Sequence, residues 1–186
     1  MKLSKLKPRR ISSEILEQET RRCSLPLYIL TSKDYIRTCK RIRGITNGEI
    51  LFIKDYAPKV TGIHIADSHI WVDKKLSNWK KVVTLQHEIG HHYYDHHLPN
   101  YRWLSKIYRE YYAFKYMLEK YLYLLRDDPR LLSNIIYDIH FVSRGFCSVS
   151  KSKKRKKQYP FHVKACKKLK KIKLWKKCLK LVKKEL

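Results

Sequence analysis

His87-Glu88-Ile89-Gly90-His91 sets two histidines four residues apart with a glutamate directly after the first. On a helix, residues at this spacing share a face, with Cβ atoms about 5–6 Å apart, so the two imidazoles can converge on one metal ion. Glu88, one step round, can reach a water held by that ion. Zinc with three protein ligands keeps a fourth position for water and lowers its pKa to roughly 7, which leaves a neighbouring carboxylate to act as general base. The spacing therefore points to one Zn2+ per chain, with His87 and His91 as metal ligands and Glu88 as the catalytic base of a hydrolase, most naturally a peptidase. The flanking Thr84, Leu85, Ile89, Gly90, His92 and Tyr93 are uncharged at neutral pH, as a metal-bearing helix beside a sheet requires.

Two residues compete to be the third ligand. Glu110 falls in an apolar stripe made by Trp103, Ile107, Phe114, Met117, Tyr121 and Leu124 on a helix predicted from about Tyr101 to Arg126. An acid in such a stripe must be paired or metal-bound, because an unpaired buried carboxylate is costly. Ala113, three residues on, is small enough to admit another helix. The alternative third ligand is His97, ten residues after His87, the spacing that metzincins use; Tyr94 stands where those enzymes need a glycine turn. His97-Leu98-Pro99-Asn100-Tyr101 is also similar to the His-x-Pro-x-aromatic continuation of some bacterial and DNA-repair-associated peptidases. Tyr93, Tyr94 and His92 are unranked candidates to stabilise an oxyanion, and His92 and His96 suit a solvated helix end.

The elements that must position these groups follow from pattern and punctuation. Ser13 to Cys23 predicts a short helix, and Leu25 to Leu30 an apolar strand. A helix over about Ser32 to Arg43 starts at the Thr31/Asp34 capping signal and stops at Gly44. Glu49 to Lys54 reads as a strand. Gly62-Ile63-His64-Ile65 and His69-Ile70-Trp71-Val72, around Ala66-Asp67-Ser68, form a hairpin signature with His64 and His69 on the strand surface. The motif helix runs from Asn78 to about Asp95, capped by Ser77 and packed through Val82, Leu85 and Ile89. Asp127-Asp128-Pro129 ends the Glu110 helix and starts one reaching about Val142.

The formal net charge of +27 is unevenly spread. Seventeen Lys/Arg and one acid, Glu185, lie between Lys151 and Leu186, so this fifth of the chain carries +16. Ser148 to Gln158 reads as a solvated Ser/Lys linker. Leu169, Ile172, Trp175, Leu179, Val182 and Leu186 then step through a basic amphipathic helix. The chain thus divides into a domain over 1–147 and a basic extension over 148–186. That extension can dock its stripe on the domain, bind nucleic acid through counterion release, or lie on a membrane surface. Cys23, Cys39, Cys147, Cys166 and Cys178 contain no Cys-x-x-Cys and predict reduced thiols. No apolar run reaches signal-peptide or transmembrane length, which predicts a soluble, cytoplasmic protein.

His69-Ile70-Trp71-Val72-Asp73, the stretch Thr84 to His92, and Glu110-Tyr111-Tyr112-Ala113-Phe114-Lys115-Tyr116 together resemble the ImmA/IrrE family of metallopeptidases, over roughly Gly62 to Leu125. That family carries its third ligand as a glutamate near an alanine and an aromatic on the helix after the motif. Many members place it directly before the alanine, where this chain has Tyr112; Glu110 stands three before Ala113, about 200° away around a helix. The resemblance implies an α+β, zincin-like domain with a small sheet packed on helices, here followed by the basic C-terminal helical extension. It also implies a cytoplasmic enzyme, often carried on phages and mobile elements, that cleaves or inactivates a transcriptional repressor. The rival expectation is a basic nucleic-acid-binding protein whose His-rich helix is structural or holds a non-catalytic metal.

Overall fold

Polar caps set the first three helices. Ser12 accepts a hydrogen bond from the Ile15 amide at the head of α1 (Ser13–Arg21), and Thr31 from the Asp34 amide at the head of α2 (Ser32–Cys39). Thr46 and Glu49 cap α3 (Asn47–Tyr56) reciprocally, each side chain accepting from the other's backbone amide. This corrects the strand expected over Glu49 to Lys54: a short apolar run is ambiguous by periodicity, and the capping box, which satisfies two orphan amides, settles it as helix. α2 ends at Cys39, four residues before the expected stop, and turns fill the interval to Gly44. The computed structural model describes residues 7–124, 128–143 and 160–185. The expected linker over 148–158, Cys147, Leu186 and the first six residues lie outside them.

Three strands, β1 (Leu27–Leu30), β2 (Gly62–Ile65) and β3 (His69–Asp73), form a sheet in the order β1-β3-β2. β1 runs parallel to β3 with Leu27 opposite Ile70, and the predicted hairpin pairs β2 antiparallel to β3 with Ile63 opposite Trp71. Alternation gives the sheet two apolar faces. Ile63, Ile65 and Trp71 pack with Tyr35, Cys39, Ile53 and Ala57 of the α2 and α3 region. Ile70 and Val72 pack with Leu85 of α4 (Asn78–His97), the motif helix.

Because β3 is central and covered on both faces, His69 is fully buried rather than on the surface as expected. Its Nε2 lies 2.7 Å from the Tyr35 hydroxyl and its Nδ1 2.9 Å from Ser68 Oγ. Burial pushes its pKa down to about 4. The unfolded chain, with an ordinary histidine near 6.5, then binds more protons between those values, so stability is full above pH 6.5 and falls as pH drops toward 4. At pH 4.5 this one group is expected to lower unfolding free energy by about 2–3 kcal/mol relative to pH 7.5. Urea titrations of the parent and His69→Gln at both pH values check this; an identical pH dependence in the variant would remove His69 as its source.

A 3-10 turn (Tyr101–Trp103) follows α4 and leads into α5 (Lys106–Tyr123), α6 (Pro129–Ser143), α7 (Pro160–Leu169) and α8 (Lys173–Glu185), making the fold mixed but mostly helical. The turn takes Trp103 out of phase with the stripe expected of it. Trp103 is 86% exposed, while Phe114, Met117 and Tyr121 are buried. The basic C-terminal segment breaks into two helices instead of one, with turns between Leu169 and Lys173. Ala165, Cys166 and Leu169 of α7 and Trp175, Cys178 and Val182 of α8 join Val82, Met117, Leu132 and Ile136 in one buried cluster. The extension therefore docks its apolar stripe on the domain, one of the roles expected of it, and joins the main core. Fully burying the leucine, isoleucine, valine and methionine side chains among them contributes about 1.5–3 kcal/mol each.

A polar network unanticipated from sequence fixes α1 against α4 and α5. Glu19, 1% exposed, pairs with Arg22 at 2.9 Å and Lys120 at 3.5 Å, accepts from the Tyr121 hydroxyl at 2.8 Å and bonds to Gln86 of α4. Each partner offsets the cost of the buried carboxylate. The cysteines among the described residues are free thiols, three buried and Cys23 half-buried. No described helix is long and apolar enough to cross a membrane.

Candidate metal centre

α4 presents His87, Glu88 and His91 between the sheet and α5. The crossing of the two helices is close: a Cβ on Gly90 would stand 2.9 Å from both Cα and O of Ala113. Gly90 and Ala113 are thus the contact at which the helices approach, the role predicted for Ala113. Glu110, one turn earlier on the same face of α5, is thereby brought to the histidines.

The donor atoms converge. Glu110 Oε2 lies 2.9 Å from His87 Nε2 and 3.6 Å from His91 Nε2, and the two imidazole nitrogens are 3.2 Å apart. Ligands held at 2.0–2.1 Å around a tetrahedral zinc are separated by about 3.3 Å. Two nitrogens and one carboxylate oxygen at these separations therefore fit a zinc-type ion by distance and by donor chemistry. Glu110 reaches the histidines from three residues before Ala113, on the same face of α5. Tyr112 instead packs its ring on Tyr94 and Tyr101.

Hydrogen bonds orient these side chains. The Tyr101 hydroxyl donates to the Arg109 carbonyl at 3.1 Å and lies 2.8 Å from His91 Nδ1. With its one proton committed, Tyr101 must accept from His91 Nδ1–H, which leaves the lone pair on Nε2 facing the other donors. Burial holds His87 down at about 4, against the opposing pull of Glu110, and so keeps it a neutral imidazole near pH 7. Burial would raise Glu110, but the imidazoles of His162, His91 and His87 hold its carboxyl well below the usual range.

Glu88, one residue round α4 from His87, lies against β2. A Cβ on Gly62 would meet Thr84 Cγ2 at 2.5 Å and Glu88 Oε1 at 2.9 Å, so the strand can lie over the carboxylate only because residue 62 is glycine. Burial pushes Glu88 up to about 7; His91 pulls it down, Glu110 adds to the rise, and the His64 backbone hydrogen bond opposes it. A carboxyl in this range is suited to exchange a proton near neutrality.

His97 is not brought to the centre. Its Nδ1 is 2.7 Å from the Tyr93 carbonyl and its ring stacks on Tyr93. The Tyr94 hydroxyl donates to Glu119 at 3.1 Å. His96 pairs with Asp67 at 2.7 Å beside His92, at the exposed end of α4. Sequence reasoning missed Tyr101 as the partner of His91 and His162 of α7, whose Nε2 lies 3.1 Å from Glu110 Oε2. Tyr101 was visible only as the aromatic after Pro99, and His162 carried no local signal at all. No family model, curated protein or solved structure matches the chain.

Proposed function

We propose that the chain is a zinc-dependent metallopeptidase acting on a protein or peptide, and, as the ImmA/IrrE resemblance implies, on a transcriptional repressor. The observation that carries this reading is the convergence of His87 Nε2, His91 Nε2 and Glu110 Oε2 within 3.6 Å of one another, beside a buried glutamate one residue from the first ligand. His87, His91 and Glu110 would hold the ion. When bound, zinc polarises a carbonyl and lowers the pKa of a water to roughly 7. Glu88 takes the proton from the attacking water and passes it toward the departing amine. Tyr101 keeps His91 in the tautomer that leaves Nε2 free, and Gly62 lets β2 close over Glu88 and exclude bulk solvent.

Metal analysis of the purified parent, Glu110→Ala and His97→Ala checks the ligand set. About one zinc per chain is expected in the parent and in His97→Ala, and a large loss in Glu110→Ala. Absence of zinc from the parent would end the reading, and loss in His97→Ala alone would transfer the third position to His97.

A second reading has its own observation: Lys173, Lys176, Lys177, Lys180, Lys183 and Lys184 of α8 are all exposed, while Trp175, Cys178 and Val182 of the same helix are buried. We propose that this face contacts nucleic acid without sequence preference, which would place a peptidase near a DNA-bound repressor. Each phosphate neutralised steepens the log–log salt dependence by about 0.9. Lys176, Lys177 and Lys180 changed together to Gln are expected to weaken duplex binding and flatten that slope; an unchanged slope rejects the interface. Neutralisation is the proper test, since truncation would remove part of the core.

A further inference from the structure

α4 carries a second pair of histidines at the interval that suits a metal. His92 and His96 stand four residues apart, one step round the helix from His87 and His91, so the two pairs face different neighbours. The second pair meets the turn between β2 and β3. Asp67 holds that turn in the left-handed region at φ 57°, which aspartate tolerates better than most side chains. Its Oδ1 lies 2.7 Å from His96 Nε2. A donor atom from each of Asp67, His92 and His96 lies within 4.8 Å of the other two.

The surroundings of each donor favour an ion. His92 Nδ1 is buried and has no hydrogen-bond partner among the described residues, and a buried nitrogen left in that state is costly. A metal ion is a partner that such a lone pair can take. The His64 ring meets that of His92 edge to face at 5.4 Å and holds it in place. Arg102 binds Asp67 through Oδ2 at 3.1 Å and Asp95 at 2.8 Å, which leaves Oδ1 on the histidine side. The two carboxylates outnumber the guanidinium they share. Asp67 and His96 side chains are 55% and 46% exposed, so they can open from 2.7 Å to the roughly 3.3 Å between ligands of a tetrahedral zinc, the ion replacing a shared proton. Access is open as well, since all three residues line a surface cleft continued along α4 by Ile89, Tyr93 and Tyr116.

We propose that Asp67, His92 and His96 form a second metal site, which takes a divalent ion of the Zn2+ class through two imidazole nitrogens and a carboxylate oxygen. Imidazole and carboxylate together suit such ions, and three donors leave coordination positions facing the cleft. An ion there ties the turn between β2 and β3 to the exposed end of α4. The site shares no residue with the centre at His87, His91 and Glu110, and it does not rest on the peptidase reading.

The test uses the full chain and Zn2+ alone, with binding read by chelator competition and folding by circular dichroism. Asp67→Asn keeps a residue that tolerates the left-handed turn, and His96→Gln changes an exposed side chain, so neither removes a core group. The parent is expected to bind about two equivalents per chain, one for each set of donors. Asp67→Asn and His96→Gln are each expected to weaken one equivalent by about tenfold or more and leave the other unchanged, while Glu110→Ala weakens the other. The imidazole C–H proton resonances that disappear in His96→Gln are expected to be among those that shift when this equivalent binds. A second equivalent that survives either substitution at full affinity, or a folded parent that binds none beyond the one Glu110→Ala removes, would overturn the inference and leave the first centre intact. A single equivalent lost in His96→Gln and kept in Glu110→Ala would support this site and remove the first. A parent that binds no zinc would overturn both.

Discussion

Glu88→Gln is expected to retain about one zinc per chain and to hydrolyse peptide about 10²–10⁴-fold more slowly, the usual contribution of a positioned general base. The substitution preserves shape where shape matters, since the side chain lies in the narrow space beneath Gly62 and beside Thr84. It removes only the ability to accept a proton. The donors at His87, His91 and Glu110 are untouched, so metal content and turnover should separate cleanly. Zinc lost from Glu88→Gln would make Glu88 a ligand, and undiminished turnover would remove it from the chemistry.

The second large effect is on stability. At an exposed helical position, glycine to alanine stabilises by up to about 1 kcal/mol, because alanine surrenders less backbone entropy. At Gly90 the sign should reverse. The added Cβ would meet Ala113 Cα and O at 2.9 Å and Tyr116 Cβ at 3.2 Å, and the first two are backbone atoms that cannot swing aside. Gly90→Ala is expected to cost about 1–3 kcal/mol and Gly90→Val more, the range for overfilling a packed interior. Separating α4 from α5 also carries Glu110 away from His87, so metal affinity should fall together with stability. Urea titration and chelator competition on the same variants test both halves. A stabilised Gly90→Ala would mean that the helices do not meet at this residue.

The C-terminal helices change how the charge of this chain is to be understood. Twenty-seven net positive charges suggested a cationic arm attached to a domain. In the fold, one face of that segment supplies core residues as large as Trp175, and the lysines coat the other. The same segment places His162 at Glu110, so the site, the core and the basic surface share one pair of helices.

What local sequence determined was whatever depends on residues within a turn or two of each other. The pairing of His87 with His91 follows from helical pitch, the hairpin from alternation around Ala66-Asp67-Ser68, and the head of α2 from Thr31 and Asp34. The small residue needed at Ala113 was legible for the same reason, as was Glu110, an acid with no business in an apolar stripe unless paired. Glu49 to Lys54 failed because an apolar run of that length suits either a strand or a buried helix, and the capping residue outside it decides. His69 and Trp103 failed because exposure is not a property of a strand or helix alone: one depends on both faces of β3 being covered, the other on a 3-10 turn that shifts the phase of α5. Only the tertiary structure could bring His162 to Glu110 or give Glu19 its partners. Those contacts join segments distant along the chain, and nothing in the spacing of residues records which faces will be pressed together once the core closes.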